Sequence, residues 1–434
     1  MHIDLTTSYV GYISLIIFVL AYALVMVEEF SHLRKSKPVI ISAALIWGII
    51  AFYFSSQPGS HSENLEQALE HNILEFAELF LFLLVAMTYI NALQERNVFD
   101  FIRYKLISKG FNFRQLFLLT GVITFFLSPI ADNLTTALVM CSVLLACGKG
   151  NNKFLAIGCI NIVVAANAGG AFSPFGDITT LMVWQAGIVD FFTFFKLFIP
   201  SVVNYIIPAF IMYFFIPNEL PQVSADKVIM KRGGKVIIFL GLLTIFSAVN
   251  FHNVLHLPPM LGMMFGLGLL GLYSFYLKIT FNPEYDERKF DFLRKVSKAE
   301  WDTLLFFFGV ILSVGGLGFI GYLALVSEYL YVGLGATYAN SLVGILSAIV
   351  DNIPVMFAVI TMNPSMSTEQ WLLVTLTTGV GGSLLSIGSA AGVALMGQAR
   401  GHYTFFGHLK WAPVIFIGYV ASIYVHILLS GLSL

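Results

Sequence analysis

Apolar runs about 20 residues long, the length a helix needs to cross a bilayer, recur along the chain. Eight are uninterrupted: 10–27, 38–56, 72–93, 191–216, 234–251, 258–278, 300–320 and 411–432. The other apolar stretches are broken by polar residues. Segments 115–130 and 134–148 are each short for a crossing and join at Asp132-Asn133; segments 336–350 and 353–362 repeat the form around Asp351-Asn352. Both pairs predict re-entrant hairpins. Segments 154–190 and 369–399 are long enough to cross once, but glycines and polar residues interrupt each near its middle. They predict broken helices, which a membrane tolerates only where the freed backbone faces protein or a water-filled cavity. The expected fold is an all-α polytopic membrane protein with about ten full crossings.

Charge placement orients this map, because cytoplasmic loops collect Lys and Arg. With ten crossings and two hairpins, all but one of the 23 basic residues fall in one set of loops, Lys196 being the exception. The loop 57–71 on the opposite side has acids and no Lys or Arg. Both termini are therefore expected outside the cytoplasm. Arg114, Lys149 and Lys153 flank the first hairpin and place its open end in the cytoplasm, whereas the second hairpin, without flanking Lys or Arg, opens outward. The start, "MHIDLTTSY", lacks the basic region of a cleavable signal, so the first apolar stretch is expected to remain as a span.

Composition agrees. Hydrophobic residues make up 58% and charged residues 11%, against about a quarter charged in soluble domains, and mean hydropathy is +0.85. The net charge of -1 gives no reason to expect nucleic acid as a partner. Cys141, Cys147 and Cys159 lie in apolar segments without metal spacing and predict small core residues.

The halves of the chain resemble each other. "SPIADNLTTALV" at 128–139 aligns with "SAIVDNIPVMFA" at 347–358, and "GGAFSPFGDITTLMV" at 169–183 with "GGSLLSIGSAAGVAL" at 381–395. A duplication follows: a first repeat over 1–218, with hairpin 115–148 and broken helix 154–190; a cytoplasmic linker over 219–233; and a second repeat over 234–434, with hairpin 336–362 and broken helix 369–399. An odd number of crossings per half inverts the second copy. Inverted repeats with discontinuous helices are the pattern of secondary transporters, whose substrates and coupling ions bind at the repeat interface. A buried carboxylate is costly unless a proton, a cation or a polar cage neutralises it. Asp132 can alternate between the first two, while Asn133, Thr135 and open carbonyls supply the hard oxygens small cations prefer. Proton and metal ion then compete for one group, and competition at a site reached alternately from two sides is exchange.

The two Asp-Asn tips and "SPFGDITT" resemble the NhaD family of sodium/proton antiporters, within a superfamily that also holds dicarboxylate and arsenite carriers. The resemblance covers most of the chain from about residue 70 onward. It implies a functional set of Ser128, Asp132, Asn133, Asn167, Asp177, Thr179 and Thr180 from the first repeat, with Ser347, Asp351, Asn352, Ser386 and Ser389 from the second. It places sodium on Asp132, Asn133, Asp177 and Asn352, supports Glu78 on a proton path, and implies exchange of Na+ or Li+ for H+ with no cofactor. An elevator-like movement, a homodimer and the lipid of a bacterial inner membrane are likewise implied. Carboxylate carriers of the superfamily present Ser-Asn-Thr at their tips; Asp in place of that Ser suits a cation and repels a dianion. The halves also differ, since Asp177 aligns with Ser389 and Thr135 with Pro354. Asp132 and Asp177 are thus the expected main carriers, with Asp351 a third acid.

Plainer readings stand beside these. Asp132 and Asp351 can cap helix starts, and Ser128 and Ser347 can bond helix backbone. Glu75 can reach water, and Glu300 and Asp302 suit a helix N-terminus. Gly316, Gly318 and Gly321 have dinucleotide-loop spacing without a preceding strand, so close helix packing is expected. His426 is expected as a hydrogen-bonded core residue, and 98–109 as an interfacial helix. The competing functions are sodium-coupled uptake of an anion, a channel, and an intramembrane aspartyl protease. No Lys or Arg is expected at either break to meet an anion, and Pro-Phe-Gly-Asp at 174–177 stands where the protease has Gly-x-Gly-Asp. No enzymatic activity is expected.

Overall fold

A computed structural model of the chain describes residues 4–31, 33–56, 61–148, 151–221, 227–283 and 289–432. Lys149, Arg288, the first residues of the 57–71 loop and the middle of the 219–233 linker lie outside them. Every regular element among the described residues is helical. The first half contributes α1 (Tyr9–Met26), α2 (Ser36–Ser55), α3 (His61–Glu95), α4 (Phe113–Ala131), α5 (Asn133–Cys147), α6 (Asn152–Gly170), α7 (Ile178–Gln185) and α8 (Phe198–Tyr213). The second contributes α9 (Gly234–Asn253), α10 (Pro259–Ile279), α11 (Trp301–Ile320), α12 (Ala336–Val350), α13 (Asn352–Met362), α14 (Thr368–Gly381), α15 (Ala390–Gln398) and α16 (Ala412–Ser430). The amphipathic segment 98–109 forms a helix over Val98–Ile107.

Ten helices among the described residues are long and apolar enough to cross a membrane, the number expected, with a different membership. α4 and α6 qualify at 19 residues each. The sequence reading had made the first too short to cross. Asn112 and Gln115 form a capping box that draws α4 back to Phe113, and the Asn151 side chain caps α6. α14 and α15, at 14 and 9 residues, do not qualify.

The helices fall into two groups. α1 packs on α2, α2 along α11, α9 on α10, and both α10 and α11 on α3. In the other group α4 packs on α6, α12 on α14, α8 on α16, and α5 on both α6 and α15. α6 is the buried centre, with 89% of its apolar window inside the protein against 28% for α1 and α9. The outer helices instead direct apolar side chains such as Phe52, Phe246, Leu272 and Leu428 outward, as lipid contact requires.

Matched glycines explain why the broken helices pack so closely. A Cβ on Gly169 would sit 2.2 Å from the Phe125 carbonyl oxygen, and one on Gly381 would sit 2.0 Å from that of Gly344. Phe125 and Gly344 occupy aligned positions of α4 and α12, so each half joins its helices by the same contact. Gly316 likewise admits Ile46, whose Cγ2 would lie 2.7 Å from an added Cβ; the glycine spacing on α11 serves packing. Cys141, Cys147 and Cys159 are buried and free, as expected.

Candidate functional site

Both Asp-Asn pairs stand where one helix stops and the next starts. Asp132 has φ 55° and ψ 160° between α4 and α5, and Asp351 has φ 86° and ψ 140° between α12 and α13. These positive φ values favour glycine, and holding another residue there costs roughly 1–3 kcal/mol. The breaks match too: Asp177, with φ -144° and ψ 144°, starts α7 as Ser389, with φ -146° and ψ 151°, starts α15.

The first tip is tied to the first break by the Asn133 amide, which donates to the Gly176 carbonyl at 2.9 Å. This directs the Asn133 side chain inward, where Nδ2 donates to Asp177 Oδ2 at 2.8 Å and to Asn167 Oδ1 at 3.1 Å. Asp177 uses its other oxygen as a helix cap, accepting from the Thr179 amide at 3.0 Å and hydroxyl at 3.1 Å. From the opposite half, Asn352 Nδ2 reaches Asp177 Oδ2 at 3.3 Å and Oδ1 at 3.4 Å. Asn167 joins the breaks, donating to Ser383 Oγ and Ser389 Oγ, each at 2.9 Å. Asp177, Asn133, Asn352 and Asn167 are all buried.

The remaining expected residues take different places. Asp132 is half-buried and caps α5, accepting from the Thr135 amide at 2.7 Å and hydroxyl at 2.9 Å. Ser128 donates to the Ala166 carbonyl at 2.6 Å, and Ser347 to those of Gly344 at 2.7 Å and Thr378 at 3.0 Å. They fasten α4 to α6 and α12 to α14. Thr180 Oγ1 and Ser386 Oγ are buried without a hydrogen-bond partner. Ser389 caps α15 through the Gly392 amide at 3.3 Å. His426 Nε2 lies 2.9 Å from the Glu369 carbonyl, a bonded core histidine as expected.

One contact was not expected from the sequence: at the second tip, Lys35 Nζ lies 3.3 Å from Asp351 Oδ2. Lys35 precedes α2 and is far from Asp351 in sequence; only the packing of α2 along α11, which itself meets α13, brings them together. Ser383 was also missed, because its aligned residue in the first break is Ala171.

Two cavities lie between the helix groups. One, of about 360 Å³, is lined by Asp132, Asn133, Asp177 and Asn352 on one wall and by Phe82, Tyr89 and Phe307 on the other, with Lys35, Lys298 and Glu300 also lining it. The second, of about 660 Å³, is lined by His71, Glu75 and Glu78 of α3, Gln185 beyond α7's middle, and Thr361 of α13. They meet α3 at opposite ends. Glu78 therefore stands apart from the Asp177 cluster, in the second cavity beside Glu75.

Carboxylate, amide and hydroxyl groups make up the cluster, and no three His, Cys, Asp or Glu side chains gather as a metal centre among the described residues. Oxygen donors of this kind suit a hard cation more than a transition metal. Interrupted helices meeting on a buried carboxylate, in a membrane bundle with a cavity towards each end, define a secondary transporter.

A model of the family described as Citrate transporter matches residues 8–379. The chain is 57% identical to the Na(+)/H(+) antiporter NhaD of Alkalimonas amylolytica, over 99% of its own length and 92% of that relative's. It is 56% identical to the NhaD of Vibrio cholerae, over 99% and 94% of the two chains. It is 31% identical to Sodium/proton antiporter 1 of Arabidopsis thaliana, over 96% and 72%. The chain belongs to the NhaD family of sodium/proton antiporters, within the wider citrate transporter family.

Proposed function

We propose that the protein exchanges Na+, and Li+, for protons across the inner membrane of a bacterium. The observation that carries this reading is the meeting of Asn133 and Asn352, from opposite halves, on the Asp177 carboxylate. Neutral amides satisfy its lone pairs without cancelling its charge. A buried charge needs a counter-charge or a proton. Either H+ or an alkali cation meets that need, and the two exclude each other at one carboxylate.

Ligands for the cation come from the same groups. Rotation of a carboxamide about χ2 turns its oxygen where its NH2 had been, so Asn133 and Asn352 can donate to an ion-free Asp177 and coordinate an ion-loaded one. Asp132, Thr179 and Thr180 supply further oxygens, with Asp351 a third acid. Ser128, Ser347, Asn167 and Ser389 hold the two breaks in register, and the unpartnered Ser386 hydroxyl is a further oxygen for the ion. Glu78, in the second cavity, lies on the path to the other face. No cofactor is required.

The two-group packing supports an elevator-like cycle in which α4–α8 and α12–α16 move against α1–α3 and α9–α11. The matched tips and breaks support inverted repeats over 1–218 and 234–434, with both termini outside the cytoplasm. The 360 Å³ cavity, bordered by Lys35 and Lys298, then faces the cytoplasm. A homodimer through α1–α3 and α9–α11 completes the reading.

The name of the citrate transporter family and the presence of Lys35 favour a second reading, sodium-coupled uptake of an organic anion. Lys35 is paired with Asp351, and Asp132, Asp177 and Glu300 line the same cavity. Acids therefore outweigh free cations there, and a dianion would be repelled. Proteoliposomes carrying a pH probe decide between the two. Addition of Na+ or Li+ should dissipate an imposed proton gradient without any organic anion; a requirement for the anion would favour the second reading.

A further inference from the structure

We propose that the Lys35 ammonium is a tethered counter-ion for Asp351, which the transported cation must displace. This inference rests on the antiporter reading. It begins with a difference between the two tips. At the first, the Asp132 carboxylate is engaged by the amide and hydroxyl of Thr135. Pro354 occupies the corresponding place at the second, and proline has no N–H to donate. Asp351 accordingly makes no side-chain cap. One carboxylate oxygen takes Lys35, at 3.3 Å, and the other, Oδ1, is buried without a hydrogen-bond partner.

Lys35 is not placed by its own helix. It stands at the N-cap of α2, the positive end of the helix dipole, where a cation is disfavoured. Its ammonium leaves water for Asp351 and for the face of Phe306, 4.3 Å from the ring centroid. An aromatic face is a resting place that an ammonium can keep after its carboxylate is taken. The side chains of Lys35 and Asp351 retain only 14% and 11% of their exposure, and Lys35 lines the cavity that reaches Asp177 and Asn352.

The surroundings leave room for a competitor. The unpartnered Oδ1 of Asp351 is an acceptor open to a donor or a cation. Two further acids border the pair: Glu28 accepts from the Lys35 amide at 3.3 Å, and Asp302 accepts from the hydroxyl of the adjacent Ser36. A Na+ arriving in the cavity meets a carboxylate already partly neutralised, and its binding is weakened by whatever free energy holds Lys35 in place.

Thermal unfolding of the purified full chain in detergent, against rising NaCl with choline chloride holding ionic strength constant, tests this. Lys35→Gln should lower the Na+ concentration for half-maximal stabilisation by about tenfold, the ratio that corresponds to about 1.4 kcal/mol of competition removed. Lys35→Arg, which grips a carboxylate with two donors, should raise it. If both variants kept the parental Na+ dependence and lost only ion-free melting temperature, Lys35 would be a structural anchor and the proposal overturned. Should Lys35→Gln fail to fold, the direction of the Lys35→Arg shift decides alone. A parental chain without any Na+-specific response would sink the antiporter reading as well, which separates that failure from failure of the Lys35 proposal.

Discussion

Asn352 donates from the second half of the chain to Asp177 in the first, at 3.3 Å, across a boundary that 175 residues of sequence separate. Asn133 reaches the same oxygen at 2.8 Å. Both tips thus read the state of one carboxylate, and any movement that changes its charge is felt in both halves.

Asp177→Asn should reduce exchange by about 100-fold or more, equivalent to about 2.7 kcal/mol of lost cation binding. Initial rates of gradient dissipation at saturating protein density check this. Asp177→Glu should retain part of the activity, because the charge survives while the cap to Thr179 is displaced.

Asn133→Ala and Asn352→Ala should each weaken Na+ binding, and the double variant should lose less than the sum. Residues sharing one partner couple by roughly 0.5–3 kcal/mol. Titration of all four proteins with Na+ gives the coupling; strict additivity would mean that the two amides do not act on a common ion.

Asp132 separates capping from ion handling. Asn is as good an N-cap as Asp, whereas Ala costs roughly 0.5–2 kcal/mol. Asp132→Asn should therefore melt close to the parent yet lose exchange, and Asp132→Ala should lose both. Full activity in Asp132→Asn would reduce this acid to a cap.

Glu78 belongs to the cavity away from Asp177. Glu78→Gln should raise half-saturating Na+ by roughly threefold to tenfold when the ion is offered to that face, by loss of local attraction, and hardly at all from the other. Vesicles of the two orientations provide the comparison.

Gly381→Ala should be severe, since the new Cβ would lie 2.0 Å from the Gly344 carbonyl oxygen. Overpacking of this kind costs about 1–3 kcal/mol or more, visible as a lowered melting temperature. Gly268→Ala, with nothing within 4 Å of its Cβ, is the matched control.

Spans and breaks were legible in the sequence because bilayer length and the loss of hydrophobic continuity leave marks on residue order. The aligned Asp-Asn pairs told where two helices end, and the aligned glycines told where two longer helices are interrupted. The boundaries of α4 were misjudged because its start is set by polar side chains, Asn112 ahead of the apolar run and Gln115 at its first position. Lys35 was invisible for a different reason. As a loop cation it obeyed the charge rule, and its meeting with Asp351 depends on three helices packing in series. Ser383 had no polar partner in the first repeat, and Glu78 carried no mark of which cavity it would face. Pro354 could be read as a lost donor, but what Asp351 would do with its freedom required the fold.

The central claim is that an alkali cation and a proton exclude each other at the buried carboxylates, and the most direct measurement is proton release on cation binding. Purified protein in weakly buffered solution near its working pH, titrated with NaCl under a pH electrode or dye, should release protons in step with Na+ binding, and Asp177→Asn should release fewer. Saturable Na+ binding that liberated no proton from the parental protein would contradict the account.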